Sequence, residues 1–263
     1  MDIPQGASLT RGRVMCITVD LVSPTPLKNN SLISWNASAG NDLTLLCIPW
    51  AGAGAAPFRP WSAVIADVAT VYGLRLAGRE NRREEPPASK ISDVVADVIA
   101  ELVDLGVQRV ALFGQCSGAV LAFELAKALT NATQGIEVTH LFVASQLPPP
   151  DFTTADVEAD QDFTRYVPEE FRGEPDFVEL LLPIIAADIA LMSSYVYEPG
   201  TSLTVPITVL YGAHDKDVSR AQLEAWRQET SGLTNFYEIA GGDHLLGGDA
   251  WLELAQAVRT GLT

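Results

Sequence analysis

Val110-Ala-Leu-Phe-Gly-Gln-Cys-Ser-Gly-Ala-Val-Leu-Ala-Phe-Glu-Leu-Ala126 joins a short apolar run to a helical period across two glycines. The first half has the character of a buried strand and the second that of a helix. Between them, Gly114-Gln-Cys-Ser-Gly118 has the form of a nucleophile elbow, Gly-x-nucleophile-x-Gly, in which a sharp strand-to-helix turn thrusts one side chain out of the backbone. The residue thrust out is Cys116. The turn forces that residue into strained torsions and brings the strand and helix backbones together, so a bulkier residue at Gly114 or Gly118 would clash. The helix that follows places Val120, Phe123 and Ala126 on one face, and the partial positive charge at its N-terminus favours thiolate at Cys116. A lone cysteine is also an ordinary small buried hydrophobe, so the reading depends on what surrounds it.

Outward from the elbow, apolar runs alternate with helical periods. Leu43-Thr-Leu-Leu-Cys-Ile48 reads as a strand buried on both faces and runs into the small-residue loop Pro49-Trp-Ala-Gly-Ala-Gly54. Such a loop lets backbone N–H groups approach a ligand, and the N–H groups of Ala51 and Ser117 are nominated as an oxyanion hole; a plain strand-to-helix turn is the alternative. A helix is expected from about Phe58 to Thr70, a strand over Val71–Leu76, a helix from Ile91 to Leu105, a strand over Val138–Ala144 and another over Pro206–Gly212. A helix from Ser219 to Glu229, a last strand over Asn235–Ile239 and a helix from Gly248 to Leu262 close the chain. Upstream, Val14–Val22 and Ser31–Asn36 read as two strands that can pair as an antiparallel edge. The alternation implies one α/β domain over residues 1–263, a mainly parallel central sheet with helices on both faces. About residues 148 to 202 break the pattern with helical stretches around Val157–Tyr166 and Phe177–Tyr195, rich in Phe, Leu, Ile and Tyr. This insertion suits a lid over an apolar acyl chain, and a helical packing excursion is the plain alternative.

Composition narrows the function classes. Seventeen Lys and Arg against thirty-three Asp and Glu leave a formal charge of −16, the opposite of a nucleic-acid or anionic-membrane surface. Three cysteines, at 16, 47 and 116, are an odd number without metal-ligand spacing, which points to a reducing compartment. The N-terminal stretch has no basic region followed by an apolar core, so a cytoplasmic protein is expected. Arg75, Arg79, Arg82 and Arg83 concentrate positive charge in an acidic chain. They read either as a solvated loop or as a contact for a phosphate or an acidic partner helix.

A thiol nucleophile needs a base, and the base needs a carboxylate to orient it. Of the three histidines, His140 lies inside a strand, where a structural role is expected, while His214 and His244 follow strands. In enzymes with an elbow the chain order is nucleophile, acid, histidine, which selects His244 as base. Asp215 and Asp217 compete as the acid; Asp215 is preferred because it stands just beyond the end of a strand. Asp243 reads as a loop residue.

Taken together, Cys47-Ile-Pro-Trp-Ala-Gly-Ala53, Phe58-Arg-Pro-Trp61, Gly73-Leu-Arg-Leu-Ala-Gly-Arg-Glu-Asn-Arg82, Leu112-Phe-Gly-Gln-Cys-Ser-Gly-Ala119, Phe123-Glu-Leu-Ala126, Leu180-Leu-Leu-Pro183, Ala187-Asp188, Gly212-Ala-His-Asp215 and Gly241-Gly-Asp-His244 resemble the type II thioesterases of the α/β-hydrolase superfamily, the stand-alone enzymes of polyketide and nonribosomal peptide synthases. The resemblance spans about residues 43 to 262. It implies an α/β-hydrolase fold with a mobile lid, and acyl or peptidyl groups presented on the phosphopantetheine arm of a carrier protein. No cofactor or metal of the protein's own is implied. It also implies Asp215 as the acid. Two departures stand out: the family usually has His-Ser at the positions of Gln115 and Cys116, and His at that of Trp50. A serine enzyme stores the acyl group as an oxygen ester, whereas Cys116 would store it as a thioester nearly equal in energy to the substrate, still activated toward amines and carbon nucleophiles. Hydrolysis, transfer and ring closure to a lactam, lactone or carbocycle therefore all remain open. A non-catalytic carrier-binding protein and a small-ester hydrolase are the competing classes.

Overall fold

The computed structural model describes residues 31–36, 41–131, 135–152, 163–167, 171–200 and 202–263. The expected strand at 14–22 and the start of the expected helix at 157–166 lie outside these residues; within the latter, Phe163–Tyr166 form a 3-10 turn. The described strands are β1 (Leu32–Ser34), β2 (Leu43–Ile48), β3 (Thr70–Leu74), β4 (Arg109–Gln115), β5 (Glu137–Ala144), β6 (Ile207–Gly212) and β7 (Thr234–Ile239). They form one sheet in the order β1-β3-β2-β4-β5-β6-β7. Every pairing is parallel except that of β1, which runs antiparallel along β3 with Leu32 opposite Leu74.

The sheet divides the core by the alternation of side chains along each strand. From β2, β4 and β5, Leu46, Leu112 and Val143 pack on one face with α2 (Ile91–Asp104) and α3 (Ser117–Asn131). Leu45, Phe113 and Phe142 pack on the other, with Phe58, Trp61 of α1 (Trp61–Val64) and Leu254 and Val258 of the closing helix. Strands covered on both sides lose the polar alternation of a half-exposed sheet, which is why β2 and β4 are nearly continuous apolar runs. The expected α/β architecture, mostly parallel and covered by helices, is the one observed.

Two helices are shorter than their periodicity suggests. The run expected from Phe58 to Thr70 forms a 3-10 turn at Ala56–Phe58 and the single turn α1, and Thr70 already belongs to β3. Asn36 explains the break: its side-chain amide donates to the carbonyls of Ser62 at 3.1 Å and Ala69 at 3.4 Å, while Asn41 takes that of Ala66 at 2.9 Å. Carbonyls that a longer helix would use internally are thus satisfied from outside, and Thr70 is free to pair with Thr44 of β2. The helix expected at 219–229 begins on a full capping box between Ser219 and Gln222, then tightens after α5 (Arg220–Leu223) into a 3-10 stretch over Glu224–Gln228.

The long helix α4 (Pro175–Ser193) starts on a proline and buries Ile185, Asp188, Ile189 and Met192, spaced to face one side. The chain ends in α6 (Asp249–Leu262). Among the described residues no helix is long and apolar enough to cross a membrane.

Candidate active site

Cys116 is the hinge between β4, at the centre of the sheet, and α3. Its φ of +50° lies in the left-handed region that side chains other than glycine rarely adopt, and its N–H is held by the Ala144 carbonyl of β5 at 2.8 Å. The flanking glycines permit this turn. A Cβ at Gly114 would strike the Gly118 carbonyl, and one at Gly118 would strike the carbonyls of Ile48 and Pro49. The first turn of α3 therefore abuts the end of β2 directly.

His244 arrives on the loop after β7, and Asp215 on the loop after β6. Nε2 of His244 lies 3.4 Å from the Cys116 sulfur, and its Nδ1 lies 3.2 and 3.1 Å from the two Asp215 oxygens. Of the two acids left open by chain order, Asp215 is the one in place. Its side chain is 0% exposed and also accepts the N–H groups of Asp217 at 2.9 Å and Val218 at 3.2 Å. Asp217 stands 3.7 Å from the ring and is 51% exposed. Burial works against the Asp215 charge, but His244 and the two backbone donors outweigh it and hold the carboxyl below its ordinary value. Burial likewise works against the His244 charge, yet the sulfur of Cys116 and the carboxylate of Asp215 raise the imidazole to about 11. The Asp215 carboxylate and the Cys116 sulfur thus both favour a proton on the imidazole between them.

The remaining polar candidates sort by their contacts. His140 is buried, stacked on Phe142 with ring centroids 4.0 Å apart, and bonded to the Thr208 hydroxyl at 2.9 Å. Burial lowers it to about 4, the condition of a structural histidine. His214 contributes its backbone N–H to the Gly242 carbonyl at 2.9 Å. Asp243 accepts the N–H groups of Leu245 and Leu246 and shapes the loop that carries His244. Asp215, Asp217 and His244 bring ligand-type atoms within 4.8 Å of one another. The Asp215 oxygens are already taken by the ring and by backbone donors, so the donor set orients an imidazole better than it holds a cation.

Ala51 is the second residue of a turn closed by the Ala53 N–H on the Trp50 carbonyl at 3.1 Å. Among the described residues the Ala51 N–H meets no acceptor, and the Ser117 N–H, first in its helix, has no intrahelical one. Beside them lies a small cavity of about 10 Å³ lined by Ile48, Trp50, Ser117, Leu121, Leu191 and Met192. It has room for about one water. Trp50 packs edge-on to Trp251 at 5.7 Å.

The arginine run does not form one basic surface. Arg79 is only 4% exposed, ion-paired with the equally buried Asp188 of α4 and bonded to the Ala53 carbonyl at 2.8 Å. Arg75 is buried, 3.8 Å from Glu80. Arg82 is spent on Glu85 and on the Arg75 carbonyl. Arg83 alone of the four projects into solvent, 78% exposed beside Glu84. The expectation that Arg79 and Arg82 offer themselves to a phosphate or partner is corrected by these contacts: an acidic neighbour within the fold reached them first.

A match to the sequence profile of the thioesterase domain covers residues 43–259. The chain belongs to the thioesterase family. This thioesterase is 32% identical over 216 residues to the gramicidin S biosynthesis protein GrsT of Aneurinibacillus migulanus, covering 77% of its own length and 82% of GrsT. It is 30% identical over 218 residues to the human medium-chain S-acyl fatty acid synthase thioesterase, covering 77% and 80% of the two chains. Among solved structures it resembles the RedJ thioesterase of the prodiginine pathway in Streptomyces coelicolor, with a TM-score of 0.74, 27% identity and coverage of 84% and 86%. The type II thioesterase BorB of the borrelidin cluster gives 0.75, 26%, and 90% and 97%.

Three residues of the thioesterase site make contacts that the sequence did not announce. The Gln115 side chain, fully buried, donates to the Leu245 carbonyl and so ties the elbow to the histidine loop. Arg79 and Asp188 meet across 109 residues of chain behind the Ala51 loop. The one available signal was Asp188 itself, an acid on the otherwise apolar face of a helix.

Proposed function

We propose that this chain is a type II thioesterase that takes acyl or peptidyl groups from a carrier protein onto Cys116 and releases them by hydrolysis, acting in the cytoplasm beside a polyketide or nonribosomal peptide synthase. The observation that carries the reading is the 3.4 Å approach of His244 to the Cys116 sulfur, with Asp215 behind the ring. In this reading the thiolate attacks the thioester carbonyl, the N–H groups of Ala51 and Ser117 receive the developing oxyanion, and the tetrahedral adduct collapses. The bond from the carbonyl carbon to the pantetheine sulfur breaks, and the departing thiolate takes the proton from His244. Acylation leaves the Cys116 sulfur uncharged, so of the two attractions that raised His244 the one to sulfur disappears while that of Asp215 stays. The imidazole is then a neutral base, able to take a proton from water as the water attacks the acyl-enzyme.

A second reading, release by an internal amine, hydroxyl or carbanion that closes a ring, has a specific observation in its favour. The sulfur keeps the acyl group activated, and the small cavity at Ser117 is walled largely by apolar side chains, Ile48, Trp50, Leu121, Leu191 and Met192, which leave room for about one water. A carrier protein as partner, its phosphopantetheine arm as the bearer of the acyl group and a helical lid over about residues 148–202 belong to the same reading.

Incubation with a synthetic pantetheine thioester, followed by intact-mass measurement, tests it. The expected outcome is an acyl adduct on the wild type that is absent from Cys116→Ala, with free acid as the product. Cyclic product instead of acid would select the second reading, and a fully active Cys116→Ala would overturn both.

A further inference from the structure

The contacts of Asp188 reach beyond α4. One carboxylate oxygen accepts the Gly52 N–H at 2.7 Å and an Arg79 Nη1 proton at 2.7 Å, and the other accepts from Arg79 Nη2. The same Nη1 donates to the Ala53 carbonyl at 2.8 Å. Both side chains are buried, Asp188 to 6% exposure. The pair therefore grips a four-residue turn, Trp50 to Ala53, at an N–H and at a carbonyl. The turn needs that grip. Gly52 sits at φ +84°, and a Cβ there would run into Ile185, one turn of α4 before Asp188. The helix thus rests against the turn by shape as well as by charge.

The turn presents the Ala51 N–H, and Asp188 lines the same small cavity as Trp50 and Ser117. A carboxylate at that place is a hazard to an oxyanion forming nearby, because like charges in a dry site repel strongly. Arg79 neutralises it with two parallel N–H donors, the geometry at which guanidinium is best.

We propose that Asp188 and Arg79 are positioning residues that couple the seating of α4 to the oxyanion hole: Asp188, carried on the helix, fixes the Gly52 peptide, and the fixed turn aims the Ala51 N–H at the thioester carbonyl. The hole is complete when α4 is down and loosens when it lifts, so the enzyme cleaves thioesters only beneath a seated helix. This rests on the acyl-enzyme reading above.

The test compares wild type, Asp188→Asn, and the double variant Asp188→Leu with Arg79→Met, which replaces the buried pair by apolar packing and guards against simple misfolding. Two rates are read on each full-length protein. The first is hydrolysis of octanoyl-N-acetylcysteamine thioester, as kcat and KM separately; the second is alkylation of Cys116 by iodoacetamide across pH, a displacement at saturated carbon that forms no oxyanion. Both variants are expected to lose about 10- to 100-fold in kcat, with KM held within about threefold and the alkylation profile unchanged. Wild-type kcat in either variant would overturn the proposal, and so would alkylation falling in step with kcat, since that marks a general loss of structure. A Cys116→Ala control separates the two layers. If Cys116→Ala is inactive while Asp188→Asn is normal, only this inference fails; if Cys116→Ala is active, the acyl-enzyme reading fails first.

Discussion

Asp215 holds one edge of the His244 ring and the sulfur of Cys116 stands at the other. Each favours the proton on the imidazole, and together they lift it to about 11. A group raised in this way keeps its proton through the neutral range and gives it up only as pH climbs through the raised value. If the protonated ring serves the departing thiol, kcat/KM holds through neutral pH and falls on the alkaline side. Asp215→Asn removes one of the two raising causes. It is expected to move the alkaline limb to lower pH and to reduce kcat/KM about a hundredfold or more, measured as a pH profile on a small soluble thioester. The arginines divide in the same single-residue way. Arg83→Ala is expected to raise KM severalfold for a carrier-borne acyl group and to leave a small thioester unaffected. Arg79→Ala strands a buried carboxylate and should cost about 3–5 kcal/mol of stability in a denaturant titration, whatever the substrate. These roles were not equally legible beforehand. Cys116, Asp215 and His244 each follow a strand closely enough for chain order to nominate them, and they do meet. Arg79 reads as exposed because a run of charges ordinarily is; only its distant partner on α4 reveals otherwise.

At the scale of elements, the site is the meeting of the four segments that follow β2, β4, β6 and β7, with α4 laid against the first of them. The helix α4 closes the small cavity with Leu191 and Met192, and α3 contributes Leu121. An acyl chain cannot enter so small a space without displacing these side chains or the helix that bears two of them. Met192→Ala is therefore expected to favour longer acyl chains, raising kcat/KM for dodecanoyl over hexanoyl thioesters relative to wild type. It should also lower stability by about 2–5 kcal/mol, as truncation of a buried methionine does. The comparison of chain lengths within one variant separates the pocket effect from the loss of stability. Periodicity revealed α2 and α4 closely, since each buries one regular stripe. It overran at α1, where Trp61, Val64, Ile65 and Val68 keep a helical spacing but Asn36 and Asn41 claim the carbonyls. Side-chain caps arriving from another segment leave no trace in a local pattern.

For the whole molecule, strand order places β4 at the centre and β2, β6 and β7 around it, so loops distant in sequence converge at the carboxyl ends of parallel strands. That convergence made the fold legible from alternation alone, while the antiparallel attachment of β1 to β3 depended on a pairing the sequence left open. The chain also carries a formal charge of −16. Such a surplus destabilises a compact state through self-repulsion, and salt screens it. Raising sodium chloride from about 10 to about 200 mM is accordingly expected to raise the Tm. A Tm that falls would mean that surface ion pairs such as Arg259 with Asp67 and Arg227 with Glu224 outweigh the repulsion. The backbone of Cys116 has one more consequence at this scale. Its torsion is imposed through the backbone, by the Ala144 carbonyl, by two glycines and by the end of β2. The elbow is a socket whose shape is independent of the atom it holds. If the acyl group is carried at Cys116 as proposed, exchanging sulfur for oxygen there is expected to change the lifetime of the acyl-enzyme and what attacks it while leaving the scaffold alone, so that the fate of the product becomes a one-atom setting.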